Sequence, residues 1–89
     1  MEITYDPEKN EVNIARRGLS FERVHECDWS DPFVIDDKRF DYGEIRKNAF
    51  VPLNDRLHCV TFTRRDGKMR IISFRKANSR EQKRYDKEK

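Results

Sequence analysis

Two strand-forming runs, Leu57 to Arg64 and Met69 to Arg75, flank Asp66-Gly67. Asp-Gly between alternating apolar residues is among the strongest local signals for a tight β-hairpin. A two-residue loop pairs Arg65 with Lys68, and strict alternation then sets the register. Phe62 falls opposite Ile71, Val60 opposite Ser73 and His58 opposite Arg75 on one side. Cys59 falls opposite Phe74, Thr61 opposite Ile72 and Thr63 opposite Arg70 on the other. Both faces carry apolar residues near their centre, so these strands belong in the middle of a sheet. The same alternation places Arg70 and Arg75 on opposite faces.

The remaining elements follow from local rules. Ile3 to Tyr5 reads as a short strand. Asp6-Pro7 starts a helix, with Asp6 as N-cap and Pro7 at its first position. That helix runs to about Arg17, with Val12, Ala15 and Ile14 expected inward, and Gly18 stops it. Ser20 caps a second helix whose Phe21 and Val24 face the core. Phe33 to Ile35 is a short strand, Asp36 to Gly43 a polar loop, and Glu44 to Leu53 a strand with Ile45, Ala49 and Val51 available for burial. Pro52 is expected to end it, with a turn at Asn54-Asp55. Asn78 and Glu81 form a capping box for a last helix. Tyr85 is its main apolar anchor, so it should dock weakly. The order is strand, two helices, an antiparallel sheet of three to four strands and a C-terminal helix. That is an α+β fold.

A chain of 89 residues is expected to form a single domain spanning residues 1–89 with one thin core. Hydrophobic residues make up 35% and charged residues 42%, but the apolar residues cluster into runs, unlike those of disordered chains. The net charge of +3 is mild. Its distribution matters more: Asn54 to Lys89 holds most of the excess positive charge, and Glu22 to Glu44 is acid-rich. The two cysteines, Cys27 and Cys59, and the two histidines, His25 and His58, have no metal-ligand spacing, so neither metal nor cofactor is expected. No apolar leader stands at the start and no run is long enough to cross a bilayer, so the chain reads as cytoplasmic.

Arginines spaced through the Arg70 to Tyr85 stretch with few acids beside them point to phosphate, and so to RNA. Each residue also has a plainer reading. Arg75 can clamp a phosphate or pair with an acid across the sheet. Glu44 and Arg46, two apart in an expected strand, can be a base beside a cation or a surface ion pair. His58 has the intrinsic pKa of a proton carrier but can equally be structural. Arg64, Arg65 and Lys68 crowd the hairpin tip, where they are solvated or reach a phosphate backbone. Tyr85 can stack on a base or anchor its helix.

Several stretches resemble one family. Asp6-Pro7-x-Lys9, then Asn13-x-x-Arg16-Arg17-Gly18-x-Ser20-Phe21, is similar to the opening of BrnT-type toxins. Gly43-Glu44-x-Arg46 resembles the family's glycine-glutamate-x-arginine. Arg70-Ile71-Ile72-Ser73-x-Arg75-x-Ala77, followed by Glu81 and Tyr85, resembles its most recognisable stretch. Where the family often has histidine, this chain has Arg17. The resemblance implies a RelE-like small ribonuclease, the toxin of a type II toxin–antitoxin pair. It also implies a ribbon-helix-helix antitoxin that carries the pair to operator DNA. On that reading Glu44, Arg46, Arg75 and His58 are the catalytic candidates, and Arg64, Arg65, Arg70 and Tyr85 contact RNA. The alternative is a non-catalytic RNA- or protein-binding module of the same fold.

Overall fold

A computed structural model describes residues 1–89. Its elements are β1 (Ile3–Tyr5), α1 (Pro7–Arg17), a 3-10 segment (Phe21–Glu26), β2 (Phe33–Asp37), β3 (Arg46–Leu53), β4 (Arg56–Arg65), β5 (Lys68–Lys76) and α2 (Ser79–Glu88). The strands form one sheet of five in the order β1-β5-β4-β3-β2. It is mixed rather than purely antiparallel, and larger than expected: β1 runs parallel to β5, and β2 closes the far edge against β3. The parallel edge pairs residues more than sixty apart in the chain, a long-range contact that no local rule reveals.

Both hairpin turns are two-residue loops in the left-handed region. Asn54 and Asp55 have φ of 49° and 62°, and Asp66 and Gly67 have φ of 52° and 75°. That backbone matches the twist of the flanking strands. Arg65 pairs with Lys68, Thr63 with Arg70 and Phe62 with Ile71, as alternation predicts. Beyond that point the register shifts. Thr61 pairs with Ser73, Val60 with Phe74, Cys59 with Arg75 and His58 with Lys76. Ile72 is the extra residue of a β-bulge. Without it Ile71 and Phe74, three apart, would point to opposite faces. With it both enter one core, at 1% and 0% exposure.

That core lies between the sheet and the N-terminal segments. Leu19, Phe21, Val24 and Cys27 pack there against Val51, Val60, Ile71 and Phe74. The opposite face is split. Toward one end Phe50, Leu57, Cys59 and Ala77 form a second cluster, with Tyr85 of α2, Phe33 and Ile35 packed against it. Toward the other end the face is polar and open. The two free thiols, Cys27 and Cys59, are buried in separate clusters.

The expected inward face of α1 is wrong. Val12 is 49% and Ile14 38% exposed, and Ala15 is exposed as well. The buried positions are Asn10 and Asn13. Asn10 Oδ1 accepts from Phe21 N (2.8 Å). Asn13 Nδ2 donates to Leu19 O and Phe74 O (2.9 Å each). The helix therefore covers backbone, including the stretch of β5 that β1 leaves unpaired, and amides suit that task better than methyl groups. Three further expectations change. The Ser20-capped helix is a 3-10 segment. Glu44 precedes β3, and Ile45 is 69% exposed. Pro52 lies inside β3, not at its end; β2 stops opposite Phe50, so only β4 is a neighbour there.

Asn13→Ala strands two buried carbonyls and should cost about 2–4 kcal/mol, whereas Val12→Ala should change stability by less than about 0.5 kcal/mol. Urea unfolding of the two variants beside wild type measures both.

Candidate functional site

The bulge decides what the open face presents. By pairing, Arg70 shares a face with Thr63, and Arg75 with Cys59. Thr63 and Cys59 are four apart on β4 and lie on one side. Arg70 and Arg75 are thus on the same face, not on opposite ones. Arg46, two before Asn48 on β3, lies there too, because Asn48 pairs with Thr61.

A pocket of about 110 Å³ opens at this face beside β1 and the start of α1. Its ionisable walls are Lys9, Arg46, Arg65 and Arg70 against Asp6 and Glu44, four cations to two carboxylates. The hydroxyl of Thr63, also in the wall, donates to Ile45 O (2.7 Å). Glu44 lies 3.1 Å from Arg65 Nη2 and 3.7 Å from Arg46 Nε. The second distance is an ion pair but no hydrogen bond, and Arg46 Nε is buried without a hydrogen-bond partner. Lys9 and Arg70 enter no ion pair. Asp6 is occupied as N-cap, accepting from Glu8 N (2.9 Å). An anion entering here would meet two unneutralised cations, Lys9 and Arg70, beside the Arg46 guanidinium.

The sequence candidates divide accordingly. Glu44, Arg46, Arg65 and Arg70 come together in the pocket. Lys9 and Asp6 join them unannounced; their signal was the Asp6-Pro7-x-Lys9 motif, which propensity explains as helix capping alone. Arg75 lies further along the same face, and its fork is taken. Nη1 and Nη2 donate to Glu81 Oε1 and Oε2 at 2.8 and 2.9 Å. Glu81 Oε1 also accepts from Asn78 N (2.9 Å), completing the capping box of α2. The fork holds the Glu81 carboxyl below its ordinary range, and the carboxylate raises Arg75. Arg39, paired bidentately with the buried Asp37, contributes its charge at Arg75 and Glu81 as well.

His58 pairs with Lys76 instead of Arg75 and lies on the opposite face from the arginines. It is 3% exposed, its Nδ1 is 2.8 Å from Arg56 O, and its ring packs on Phe74 at 5.5 Å. Burial lowers its pKa. Tyr85 is half-buried against the second cluster. Arg64 is exposed at the hairpin tip, its guanidinium 5.9 Å from the Phe62 ring. No three His, Cys, Asp or Glu side chains are grouped as metal ligands, and no helix is long and apolar enough to cross a membrane.

The family described as ribonuclease toxin, BrnT, of type II toxin-antitoxin system matches residues 5–81. The match runs from Tyr5, the last residue of β1, through the first turn of α2 and includes every ionisable wall of the pocket. No curated protein matches the chain. The chain belongs to the BrnT family.

The Arg75–Glu81 fork is half-buried and ties α2 to β5, so Arg75→Ala should cost about 1–2 kcal/mol. At about 4–8 °C per kcal/mol for a chain of this size, calorimetry will resolve it. The pH dependence follows from Glu81. Its folded pKa lies below the unfolded value of 4.5, so this stabilisation is complete above about pH 4.5 and fades as pH falls through the folded value. Glu81→Gln should therefore be less stable than wild type at pH 7, with the gap narrowing in melting scans as pH falls below about 4.5.

Proposed function

We propose that this BrnT-family chain is an endoribonuclease that cleaves RNA at the pocket between Glu44, Arg46 and Arg70, without a metal, as a single cytoplasmic domain. One observation carries the reading. Lys9 and Arg70 face a small concave site with no carboxylate partner, next to a buried guanidinium N–H that nothing accepts from.

RNA cleavage by internal attack needs a base at the 2′-OH, charge stabilisation at phosphorus and an acid at the 5′-oxygen. Glu44 takes the proton from the 2′-OH. The 2′-oxygen then bonds to phosphorus, and the P–O5′ bond breaks. Arg46 and Arg70 hold the non-bridging oxygens, where charge accumulates, and the forked geometry of guanidinium suits them. Lys9, an ammonium on the opposite wall, gives a proton to the departing 5′-oxygen. The products are a 2′,3′-cyclic phosphate and a free 5′-hydroxyl. Arg65 holds Glu44 in place at 3.1 Å. Arg75 and Arg64 lie outside this pocket and serve the RNA backbone beyond the scissile step. His58, on the opposite face, takes no part, and Tyr85 anchors α2.

A ribonuclease of a toxin–antitoxin pair needs a restraining partner. A ribbon-helix-helix antitoxin that covers the arginine face would block RNA entry and bring the complex to operator DNA. Rim charges mainly set association rates, so complex formation should slow as salt rises.

In EDTA, purified protein should cleave RNA to 2′,3′-cyclic ends. Arg70→Ala should cut the rate about 10²–10³-fold, the cost of one charge-stabilising contact, and Glu44→Gln about 10²–10⁴-fold, both with melting temperatures close to wild type. RNA bound but intact at enzyme excess would favour the non-catalytic binding module instead.

Stepwise addition of the product of a neighbouring ribbon-helix-helix gene should abolish cleavage at stoichiometry. Continued cleavage with a folded partner in excess would overturn the proposed mode of restraint.

A further inference from the structure

We propose that the loop between β2 and β3 is a nucleobase platform, on which the exposed ring of Phe40 stacks an unpaired base whose phosphate lies in the arginine pocket. The proposal rests on the ribonuclease reading and adds where the base goes.

Phe40 is 69% exposed, although burial is the usual fate of a phenylalanine. Its ring meets Tyr42 edge-on, with centroids 5.9 Å apart and planes at 74°. The guanidinium of Arg46 lies 3.8 Å from the centroid of Tyr42. Phe40, Tyr42 and Arg46 thus form a continuous series from solvent to the phosphate pocket. Ring and guanidinium faces of this kind are what single-stranded nucleic acid binders offer to bases.

The loop also borders an open hollow of about 370 Å³, within the roughly 300–1,000 Å³ usual for small-molecule sites. Glu44 and Arg46 line both this hollow and the arginine pocket, so the two adjoin. Their charges differ. The arginine pocket has four cations to two carboxylates, whereas the hollow has three cations to four carboxylates. A phosphate is drawn to the first. A flat, uncharged heterocycle suits the second. The acids of the hollow are already engaged: Asp37 by Arg39, Asp36 by Lys47 and Asp41 by the Gly43 N–H. In sequence Phe40 is framed by Lys38, Arg39 and Asp41, and Ile45 is the one exposed aliphatic side chain in the lining of the hollow.

The test is binding of a fluorescent single-stranded 2′-fluoro hexanucleotide, which lacks the attacking hydroxyl. Wild type is compared with Phe40→Ala, Phe40→Trp and, as the phosphate control, Arg70→Ala. Phe40→Ala should weaken binding about 5- to 150-fold, the range for one lost stacking contact, with an unchanged melting temperature. Phe40→Trp should restore affinity, with indole emission quenched as the base stacks. A series with one abasic position moved along the strand should contain one oligomer that costs wild type a similar factor and costs Phe40→Ala little more. Equal affinities of wild type and Phe40→Ala, or a full abasic penalty in Phe40→Ala, overturn the platform. If Arg70→Ala is nonetheless weak, the ribonuclease reading stands. If wild type does not bind and Arg70→Ala is no weaker, both readings fall. If Phe40→Ala binds the oligomer normally but loses the product of the neighbouring gene, the platform is overturned and the ring belongs to a protein interface.

Discussion

One extra residue in β5 governs the arrangement of the rest. Ile71 and Phe74 are among the most deeply buried side chains in the chain, and they are three apart in a strand. A regular strand cannot put both into one core. The bulge at Ile72 resolves the conflict, and its effect reaches the far side of the sheet. Residues before and after it come back into phase, so Arg70 and Arg75 share a face. The apolar face thereby sets the cationic one: the hydrophobic requirement of one layer fixes the charge pattern of the other.

Much of this was legible in the sequence wherever a short-range rule operates. Asp6 and Pro7 start α1, Gly18 ends it, and Asn78 with Glu81 caps α2. Asp66-Gly67 fixes the hairpin loop and the first pairs beyond it. The failures share a cause in long-range context. The spacing of Met69, Ile71 and Phe74 breaks a period of two and marks the bulge, which strict alternation passes over. Hydropathy alone puts Val12 and Ile14 inside, yet α1 sits over backbone that needs hydrogen bonds, which Asn10 and Asn13 supply. Within the pocket, Glu44, Arg46, Arg65 and Arg70 could be named from charge and motif. Lys9 stands in the Asp6-Pro7-x-Lys9 motif, but helix capping already accounts for that motif until β1 joins β5 and brings the start of α1 to the site.

Carboxylates are placed along the arginine face so that few of its cations are free. Arg39 is held by Asp37, Arg65 by Glu44 and Arg75 by Glu81. Such pairs add little stability where exposed, but they fix the direction of flexible side chains. Lys9 and Arg70 are left without acids, in the pocket beside the start of α1. A polyanion at this pocket therefore meets cations with no acid paired to them, and Arg16 and Arg17, beside Lys9 along α1, extend that charge.

The two cysteines have a consequence of a different kind. Cys27, at the end of the 3-10 segment, lies in the core on one side of the sheet and Cys59 in the cluster under α2 on the other. Burial pushes both thiols up to about 11, so neither reacts while its layer is closed. Each thiol thus becomes accessible only through the opening of its own layer. The two thiols report from opposite sides of the sheet, in a protein that carries no added label.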